Sequence, residues 1–417
     1  MLALGSLHER FVDGDKSVVN PIWGKGEGGF ALVHYNKAIQ QLIQPVQENQ
    51  QAIDVCLIAC MLFSAFETLR GHHGAAMSHI GSGVRLLSEV EARTDGAPNH
   101  HILRVSRHPL DAGANRVSPD NTQTTFQMLI SPATTKMVNT KPMSLSKTWS
   151  NAEPGFCAEI PAAFSSLEEA RNSMDYHWNT CITFLNEIER LPHSVAEAGA
   201  RAPSVDARRL IFSNIVQQWF TAFKAFLQRE SQGLDEQGLQ AARILEISHH
   251  TSAVLLEVGA FDASVVEGVW DRFTSRFEQI VDLASMIVTP PANGQAGQAQ
   301  ASVFSLDMNI VSPLYLVAHR CRDPAIRRKA VSLLNASPRQ EGVWDSYLTA
   351  RAVERLILLE EEGLGPVTCA QDVPEWARIT EVEVKFDLEG RIGSLGYTRA
   401  KSVHEKVREK VVYTINW

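Results

Sequence analysis

Residues 29–87 contain three consecutive helical patterns with almost nothing between them, and this block most constrains the fold that the chain can adopt. In the first and third patterns, apolar residues recur at the spacing of one helix face: Tyr35, Ile39, Leu42, Ile43 and Val46, then Ala76, Ile80, Val84 and Leu87. The middle run, 55–66, is apolar on all sides, which predicts a central helix packed against several neighbours. The segment Gly71-His72-His73-Gly74 predicts the turn between the second and third helices.

Helical patterns resume at residue 166 and continue to residue 362. Ser166 and Glu169 have the spacing of a capping box, in which two side chains bond to the free N–H groups at the start of a helix. Asp323 followed by Pro324 is a preferred helix start. We expect helices at residues 166–190, 204–230, 235–258, 264–287, 307–320, 324–335 and 343–362. The buried stripe of the last helix is expected to be Trp344, Leu348, Ala352, Leu356 and Leu359.

Only the end of the chain has an extended pattern. Val382, Val384 and Phe386 alternate with charged residues, and Gly390 marks a turn before a second apolar segment, which predicts a small β-hairpin. Helices otherwise follow one another without βαβ alternation. The predicted fold class is therefore all-α, with stacked antiparallel helical hairpins in one array and a small β-hairpin near the C-terminus.

The changes of pattern along the chain predict four segments. Residues 1–92 are the N-terminal helical part. Residues 93–161, where seven prolines stand among many Ser, Thr and Asn residues, are expected to be a linker or an inserted loop. Residues 162–380 form the main helical domain with a flexible insert at 289–303, and residues 381–417 form the hairpin and tail.

The charge of the chain argues against direct contact with nucleic acid. Its 417 residues carry a formal net charge of −8, and no dense run of Lys and Arg is present, whereas basic patches are the usual signature of nucleic-acid binding. The N-terminus lacks the basic and apolar regions of a signal peptide. The longest apolar run, 55–66, is too short to cross a bilayer. We expect a soluble, intracellular protein without a membrane partner.

The cysteines do not form a metal-binding or redox pattern. No two of them are spaced as Cys-x-x-Cys, and their scatter is typical of a reducing compartment rather than of a disulfide framework. Cys56 and Cys60 lie four residues apart in an apolar helix, so we interpret them as small buried hydrophobic residues. The chain contains six cysteines, at Cys56, Cys60, Cys157, Cys181, Cys321 and Cys369.

No motif predicts catalysis. The chain lacks a Gly-x-Ser-x-Gly nucleophile elbow. The glycine-rich segment 24–29 does not end in Gly-Lys-Ser/Thr, so we interpret it as a flexible segment before a helix. We therefore expect that the chain is not an enzyme, and we assign no catalytic, metal-binding or DNA-binding residue; cofactor-binding residues stay undetermined.

The histidines and one run of glutamates are the remaining candidates for a polar site. Three adjacent histidine pairs, at 72–73, 100–101 and 249–250, point in different directions on a helix and are expected at turns or on the surface. The run Glu360-Glu361-Glu362 is interpreted as a solvated acidic helix end. His34 and His79 lie within apolar helix faces and are expected to be hydrogen-bonded core residues. An enzyme site would have to form around His34, His79 or His319.

Three ordered segments resemble one protein family. The first comprises FALVHYNKAI (30–39) and VCLIACMLF (55–63), the second is PLYLVAHRCRDPAIRRKAVSLL (313–334) continuing into SPRQEGVWDS (337–346), and the third is DVPEWAR (372–378) with VKFDLEGR (384–391). Together they resemble the regulatory region of fungal binuclear zinc-cluster transcription factors. The segments lie in the same order along the chain, on both sides of the expected linker.

The resemblance implies a nuclear transcription regulator with a helical regulatory domain. It also implies partners in the transcription machinery or a second copy of the chain, and a small-molecule effector. Family members hold two zinc ions with six N-terminal cysteines in a Cys-x2-Cys-x6-Cys pattern that this sequence lacks. We therefore expect no zinc, no other cofactor and no DNA contact in this chain.

Two explanations of the missing zinc cluster remain open. A gene model that starts too late would lack an upstream cluster, and we favour this explanation because residues 4–11 resemble the interior of such a protein. Alternatively, the chain is a relative without a cluster that acts through partners. A different function, a cytoplasmic helical scaffold acting by protein–protein interaction, would share the fold, since a fold does not determine a function.

Overall fold

The protein is described by a computed structural model, which divides the chain into two compact units. Unit 1 comprises residues 1–152, 301–307 and 386–392, and unit 2 comprises residues 153–300, 308–385 and 393–417. The structure describes residues 1–12, 28–48, 52–94, 160–189, 203–258, 266–288, 302–307, 309–387, 392–400 and 408–416. The expected linker lies almost entirely outside these residues, as do His100-His101 and most of the segments 24–29 and 289–303.

Unit 1 contains the three helices that the N-terminal block predicts, and one more. Its elements are α1 (Leu2–Val12), α2 (Gly28–Gln47), α3 (Ile53–Leu69), α4 (His73–Thr94) and the short strand β1 (Val303–Ser305). Tyr35 on α2 stacks on Phe66 of α3 with ring centroids 4.2 Å apart. Leu7 of α1 is fully buried in the same core cluster. Helix α1 was not predicted from the sequence, where the helical patterns begin at residue 29.

Two details of unit 1 differ from the prediction. The turn before α4 is shorter than expected, because His73 and Gly74 already belong to the helix; Gly71 provides the left-handed backbone with φ of 75°. Helix α3 is not packed on all sides, because Val55 and Ile58 are 41% and 40% exposed. The prediction of a central helix packed against several neighbours is confirmed by its core contacts with α1, α2 and α4, although this apolar face of α3 is partly exposed.

Unit 2 follows the predicted order of helices. The helices are α5 (Leu167–Glu189), α6 (Pro203–Glu230), α7 (Glu236–Val258), α8 (Thr274–Ile287), α9 (Val311–Arg320), α10 (Pro324–Ala336) and α11 (Ser346–Glu361), with 3-10 turns at Ser231–Gly233, Glu267–Phe273 and Ala370–Asp372. Trp219 of α6 lies at the centre of one core cluster, where its indole N–H donates to the Ala170 carbonyl at 3.0 Å. Large buried aromatic residues usually need such a partner for their polar atom.

Helix starts in unit 2 are set by specific acceptors. Asp323 accepts from the N–H groups of Ala325 and Ile326, which confirms the predicted cap of α10. Ser166 accepts from the N–H of Glu169, as predicted. The Glu169 carboxylate, however, accepts from the N–H and hydroxyl of Ser165, one residue before the expected position.

Three predicted helices begin later than expected. The segment expected as one helix from 264 to 287 consists of the 3-10 turn Glu267–Phe273 followed by α8. Helix α9 begins at Val311, whose N–H donates to the Glu341 carboxylate. Trp344 is buried as predicted but lies in a strand, because Asp345 caps α11 by accepting from the Leu348 N–H at 2.8 Å.

Two small β elements follow the helices described above. Strands β2 (Arg339–Glu341) and β3 (Trp344–Asp345) form an antiparallel hairpin that the sequence did not predict, with Glu341 opposite Trp344. The predicted terminal hairpin corresponds to β4 (Thr380–Asp387) and β5 (Ile392–Ala400), and β6 (Arg408–Asn416) adds a third strand in the order β4-β5-β6. The predicted fold class, helical with a small C-terminal β element, is confirmed.

Within the described ranges, no helix combines the length and the apolar character needed to cross a bilayer.

Candidate functional site

Charged residues in unit 2 form a buried group that we call the ion-pair cluster: Glu267, Arg320, Arg322, Arg327 and Glu360. Arg322, which joins α9 to α10, donates from Nη2 to Glu360 Oε1 at 2.7 Å and to Glu267 Oε2 at 3.0 Å. Arg327 on α10 donates to Glu360 Oε2 at 2.8 Å. Arg320, at the end of α9, donates to both oxygens of Glu267 at 2.7 and 2.8 Å. The cluster thus joins α9, α10, α11 and the 3-10 turn at Glu267.

The charges of the cluster stabilise one another. Burial alone would raise the pKa of Glu360, but Arg322, Arg327 and the Ile379 N–H outweigh it and lower that pKa to about 2. Burial would lower the pKa of Arg322, but its two carboxylate partners raise it. The pKa of Arg327 is lowered by burial and by the neighbouring Arg322, because Arg327 has only the Glu360 carboxylate as a close partner. Arginine nevertheless stays charged in proteins, so Glu360 is held between two cations.

The segment after α11 is attached to the same region by Arg378. Its guanidinium forms a fork with Asp271, with N–O distances of 2.9 and 2.7 Å, and its Nε donates to the Val373 carbonyl. Glu375 accepts from the N–H groups of Glu267 and Gly268 at 2.8 and 2.9 Å. Residues 373–378 therefore fix the start of the 3-10 turn that carries Glu267.

Glu341 has a comparable role at the start of α9. One of its oxygens accepts from the N–H groups of Asn309, Ile310 and Val311 at 2.8 to 2.9 Å. Burial raises the pKa of this carboxyl, and the three N–H groups oppose that effect. A carboxylate at a helix N-terminus satisfies N–H groups that have no partner within the helix. This contact explains why α9 begins at Val311.

The interpretation of Glu360-Glu361-Glu362 as a solvated helix end was wrong for its first residue. Glu360 is 1% exposed, whereas Glu362 is exposed and pairs with Arg399. A local run of acidic residues predicts solvent exposure, but the partners of Glu360 lie 33 and 38 positions away in the sequence. Only the three-dimensional arrangement reveals them.

Unit 1 contains an open cavity of about 510 Å³ between α1, α2 and α3. Its polar lining residues are His34, Lys37 and Gln41 on α2, together with the amphipathic Tyr35. The other lining residues are apolar: Met1, Leu2, Ala3, Leu4, Ala38, Leu42, Ala59, Leu62, Phe63 and Phe66. Ligand sites in proteins are usually of this kind, an apolar recess of roughly 300–1,000 Å³ with a few polar groups. No sequence motif marked this cavity.

A polar network lies behind Tyr35. Its hydroxyl is 3.1 Å from His79 Nε2, so His79 is the hydrogen-bonded core histidine that the sequence predicts. Burial and the nearby Glu67 carboxylate raise the pKa of Tyr35, and burial lowers the pKa of His79. Glu67, 5% exposed, also accepts from Arg70 at 3.2 Å and lies 3.0 Å from His72 Nδ1. These groups satisfy one another and hold Tyr35 in place.

His34, predicted to be a core histidine, and His319, named as a possible centre of an enzyme site, lie in different units. His34 is half-buried and packs against the Phe30 ring with centroids 4.3 Å apart. His319 is buried in unit 2, beside Tyr315, and its Nε2 has no hydrogen-bond partner among the residues that the structure describes. Burial, together with Arg320, Arg322 and Arg327, lowers the pKa of His319 well below its ordinary value.

The pair His249-His250 is buried, contrary to the expectation of a turn or surface position. His249 stacks on Phe220 of α6 with ring centroids 3.9 Å apart and an interplanar angle of 2°. The two residues are 3% and 7% exposed. Burial lowers the pKa of His249 to about 3 and that of His250 to about 4. His73, at the start of α4, is also buried, whereas His72 is half-buried.

The cysteines and the other possible metal ligands form no reactive or metal-binding site among the described residues. Among the described residues, no group of three or more His, Cys, Asp or Glu side chains is arranged to hold a metal ion. Cys56 is buried, as predicted, and Cys60 is half-buried. Burial raises the pKa of the Cys60 thiol to about 11, which disfavours the reactive thiolate.

Comparison with known proteins gives one informative similarity. No family model matches the chain. No solved structure matches it. The chain is 24% identical to the aspercryptin biosynthesis cluster-specific transcription regulator atnN of Emericella nidulans, over 88% of this chain and 69% of that protein.

This similarity extends through both units. The chain is thus similar to a fungal transcription regulator over most of its length. The second and third resembling segments, 313–346 and 372–391, supply Arg320, Arg322 and Arg327 of the ion-pair cluster. They also supply Glu341 and Arg378, described above.

Proposed function

We propose that this chain is the regulatory part of a transcription regulator of the fungal binuclear zinc-cluster type and acts in the nucleus. The observation that carries the proposal is the similarity to a cluster-specific transcription regulator across 88% of the chain. A match of that extent is difficult to attribute to one shared local motif. The order of the three resembling segments along the chain supports the same family.

The ion-pair cluster supports a structural rather than a catalytic role for the resembling segments. Arg322 and Arg327 are fully buried and bind Glu360, and no open cavity is needed for these contacts. Buried charge pairs contribute little net stability, and in this proposal their role is to specify one arrangement of helices. A regulatory domain needs such a defined arrangement to present a constant surface to its partners.

In this proposal, contact with DNA is supplied by another segment or another protein. The chain has a net charge of −8, which disfavours binding to the phosphate backbone. It also lacks the paired-cysteine pattern that holds zinc in this family. The chain then works through protein partners of the transcription machinery or a second copy of itself, responds to an effector, and has no catalytic activity.

Tethering the chain to DNA tests the proposal. The full chain is fused to a foreign DNA-binding domain and expressed beside a reporter gene that carries the matching operator. We expect reporter expression to differ from that with the DNA-binding domain alone, and the difference to vanish when the operator is deleted. Unchanged expression under every growth condition, with the fusion present in the nucleus, would contradict the proposal.

A cytoplasmic helical scaffold is the competing function, and localisation separates the two. A tagged version of the natural gene product, expressed from its own locus, is expected in the nucleus. Exclusion from the nucleus under all conditions would favour the scaffold.

A further inference from the structure

The side chains that line the cavity in unit 1 include one lysine and no carboxylate. None of its fourteen lining residues carries a carboxylate, and Lys37 supplies an ammonium group at its exposed edge. This feature is notable because the chain as a whole has eight more acidic than basic residues. Within the part of the chain that the structure describes, no carboxylate lies within ion-pair distance of Lys37. Lys37 and Gln41 also line a neighbouring recess, in which the Glu48 carboxylate accepts a hydrogen bond from Gln44.

The polar groups of the cavity lie on one face of α2. His34, Lys37 and Gln41 are three and four residues apart, a spacing that places their side chains along one side of a helix. The Tyr35 hydroxyl already has His79 as a partner. The groups left for a ligand are therefore the Lys37 ammonium, the Gln41 amide and the His34 ring.

The rest of the cavity is suited to a hydrocarbon chain. Phe63, Leu62 and Ala59 of α3 face α1 and α2 across the recess. Small side chains at Ala3, Ala38 and Ala59 leave the space open. Because burying apolar surface contributes roughly 25 cal/mol per Å², an aliphatic ligand gains affinity here without specific hydrogen bonds.

We infer that this cavity binds a small amphipathic carboxylic acid, with its hydrocarbon part between α1, α2 and α3 and its carboxylate beside Lys37. A monocarboxylate is favoured over a phosphate ester because Lys37 is the one Lys or Arg side chain of the lining, which therefore has no arginine fork. Such an acid would be the effector of the regulator, and to that extent the inference rests on the proposed function.

Ligands that differ only in their head group test the charge preference. Decanoate, decanol and decylamine share one hydrocarbon chain, and their binding to the full 417-residue chain is measured by isothermal titration calorimetry at pH 7. We expect one decanoate to bind per chain, with affinity about tenfold higher than that of decylamine, and decanol to lie between them. Equal binding of decanoate and decylamine, or no decanoate binding at millimolar concentration, would overturn the inference.

Two variants locate the binding. Ala59→Phe fills the cavity and is expected to weaken decanoate binding about tenfold or more; Ala52→Phe, at an exposed position outside the lining, is the matched control. Lys37→Gln is expected to weaken decanoate about three- to fivefold and leave decanol unchanged, while Lys329→Gln in unit 2 changes neither. Circular dichroism spectra identical to wild type establish that each variant is folded.

These results separate the inference from the proposed function. Decanoate affinity that Ala59→Phe leaves unchanged would place binding elsewhere and overturn the cavity assignment, whatever the tethered reporter shows. Conversely, specific binding to a chain that is silent in the reporter assay would leave the site intact and contradict only the transcriptional role.

Discussion

Arg322 Nη2 and Glu360 Oε1 are 2.7 Å apart, and both side chains are almost completely removed from solvent, with exposures of 0% and 1%. The two residues are 38 positions apart in the sequence. Glu360 also binds Arg327 and the N–H of Ile379, so one carboxylate connects α10, α11 and the start of β4. Glu360 is therefore the carboxylate at which the contacts between these elements meet.

Neutralising Glu360 should destabilise the protein strongly. Glu360→Gln leaves the buried Arg327 guanidinium without a carboxylate and Arg322 with Glu267 alone, and breaking a buried pair in this way costs about 3–5 kcal/mol. Glu362→Gln, the same change two residues later in an exposed pair with Arg399, should cost about 0–1 kcal/mol. Urea unfolding followed by circular dichroism measures both. Equal free energies of unfolding for the two variants would show that the buried cluster is not needed for stability.

The cap of α10 should contribute less to the free energy of unfolding than Glu360 does. Asp323→Ala removes the acceptor of the Ala325 and Ile326 N–H groups and should lower the free energy of unfolding by about 1 kcal/mol. Asp323→Asn keeps a capping oxygen and should stay close to wild type. Thermal unfolding of the three proteins provides the comparison. An asparagine variant as unstable as the alanine variant would mean that the charge, not the cap, is required.

Buried histidine should make the protein less stable in mild acid. The pKa of His249 is about 3 in the folded chain, below its ordinary value of 6.5, so the unfolded state binds the proton more readily. The stabilisation is complete above pH 6.5 and is lost as the pH falls towards 3. His249→Phe keeps a ring against Phe220 but cannot titrate.

The comparison between pH 7 and pH 5 tests this expectation. Wild-type protein should lose about 1–2 kcal/mol more of its free energy of unfolding than His249→Phe does over this range. Urea titrations at the two pH values give the difference directly. Identical losses in the two proteins would mean that His249 is not buried in its neutral form.

Local sequence signals predicted the local features of this fold well. The helix order, the Asp323-Pro324 start of α10 and the cap at Ser166 depend on residues at most four apart, and periodicity or capping chemistry reveals them. The buried stripe of α11 was also predicted from its spacing. Trp344 fits that spacing only because a short strand leads directly into the helix.

Features that depend on distant partners could not be predicted. Glu360 has the appearance of a surface residue until its arginines on other elements are placed, and Glu341 caps a helix that begins 30 residues earlier in the chain. His249 is buried because Phe220 of another helix covers its ring. The cavity in unit 1 is formed by α1, which no sequence pattern predicted, together with α2 and α3.

The proposed role in transcription is tested by comparing reporter expression from the tethered wild-type chain with that from the tethered Glu360→Gln and Glu362→Gln variants. We predict that the wild-type fusion and Glu362→Gln change expression equally relative to the DNA-binding domain alone, whereas Glu360→Gln loses most of the change when the fusions are present in equal amounts in the nucleus. A wild-type fusion that leaves expression at the level of the DNA-binding domain alone would contradict the transcriptional role, and so would equal activity of the Glu360→Gln and Glu362→Gln fusions.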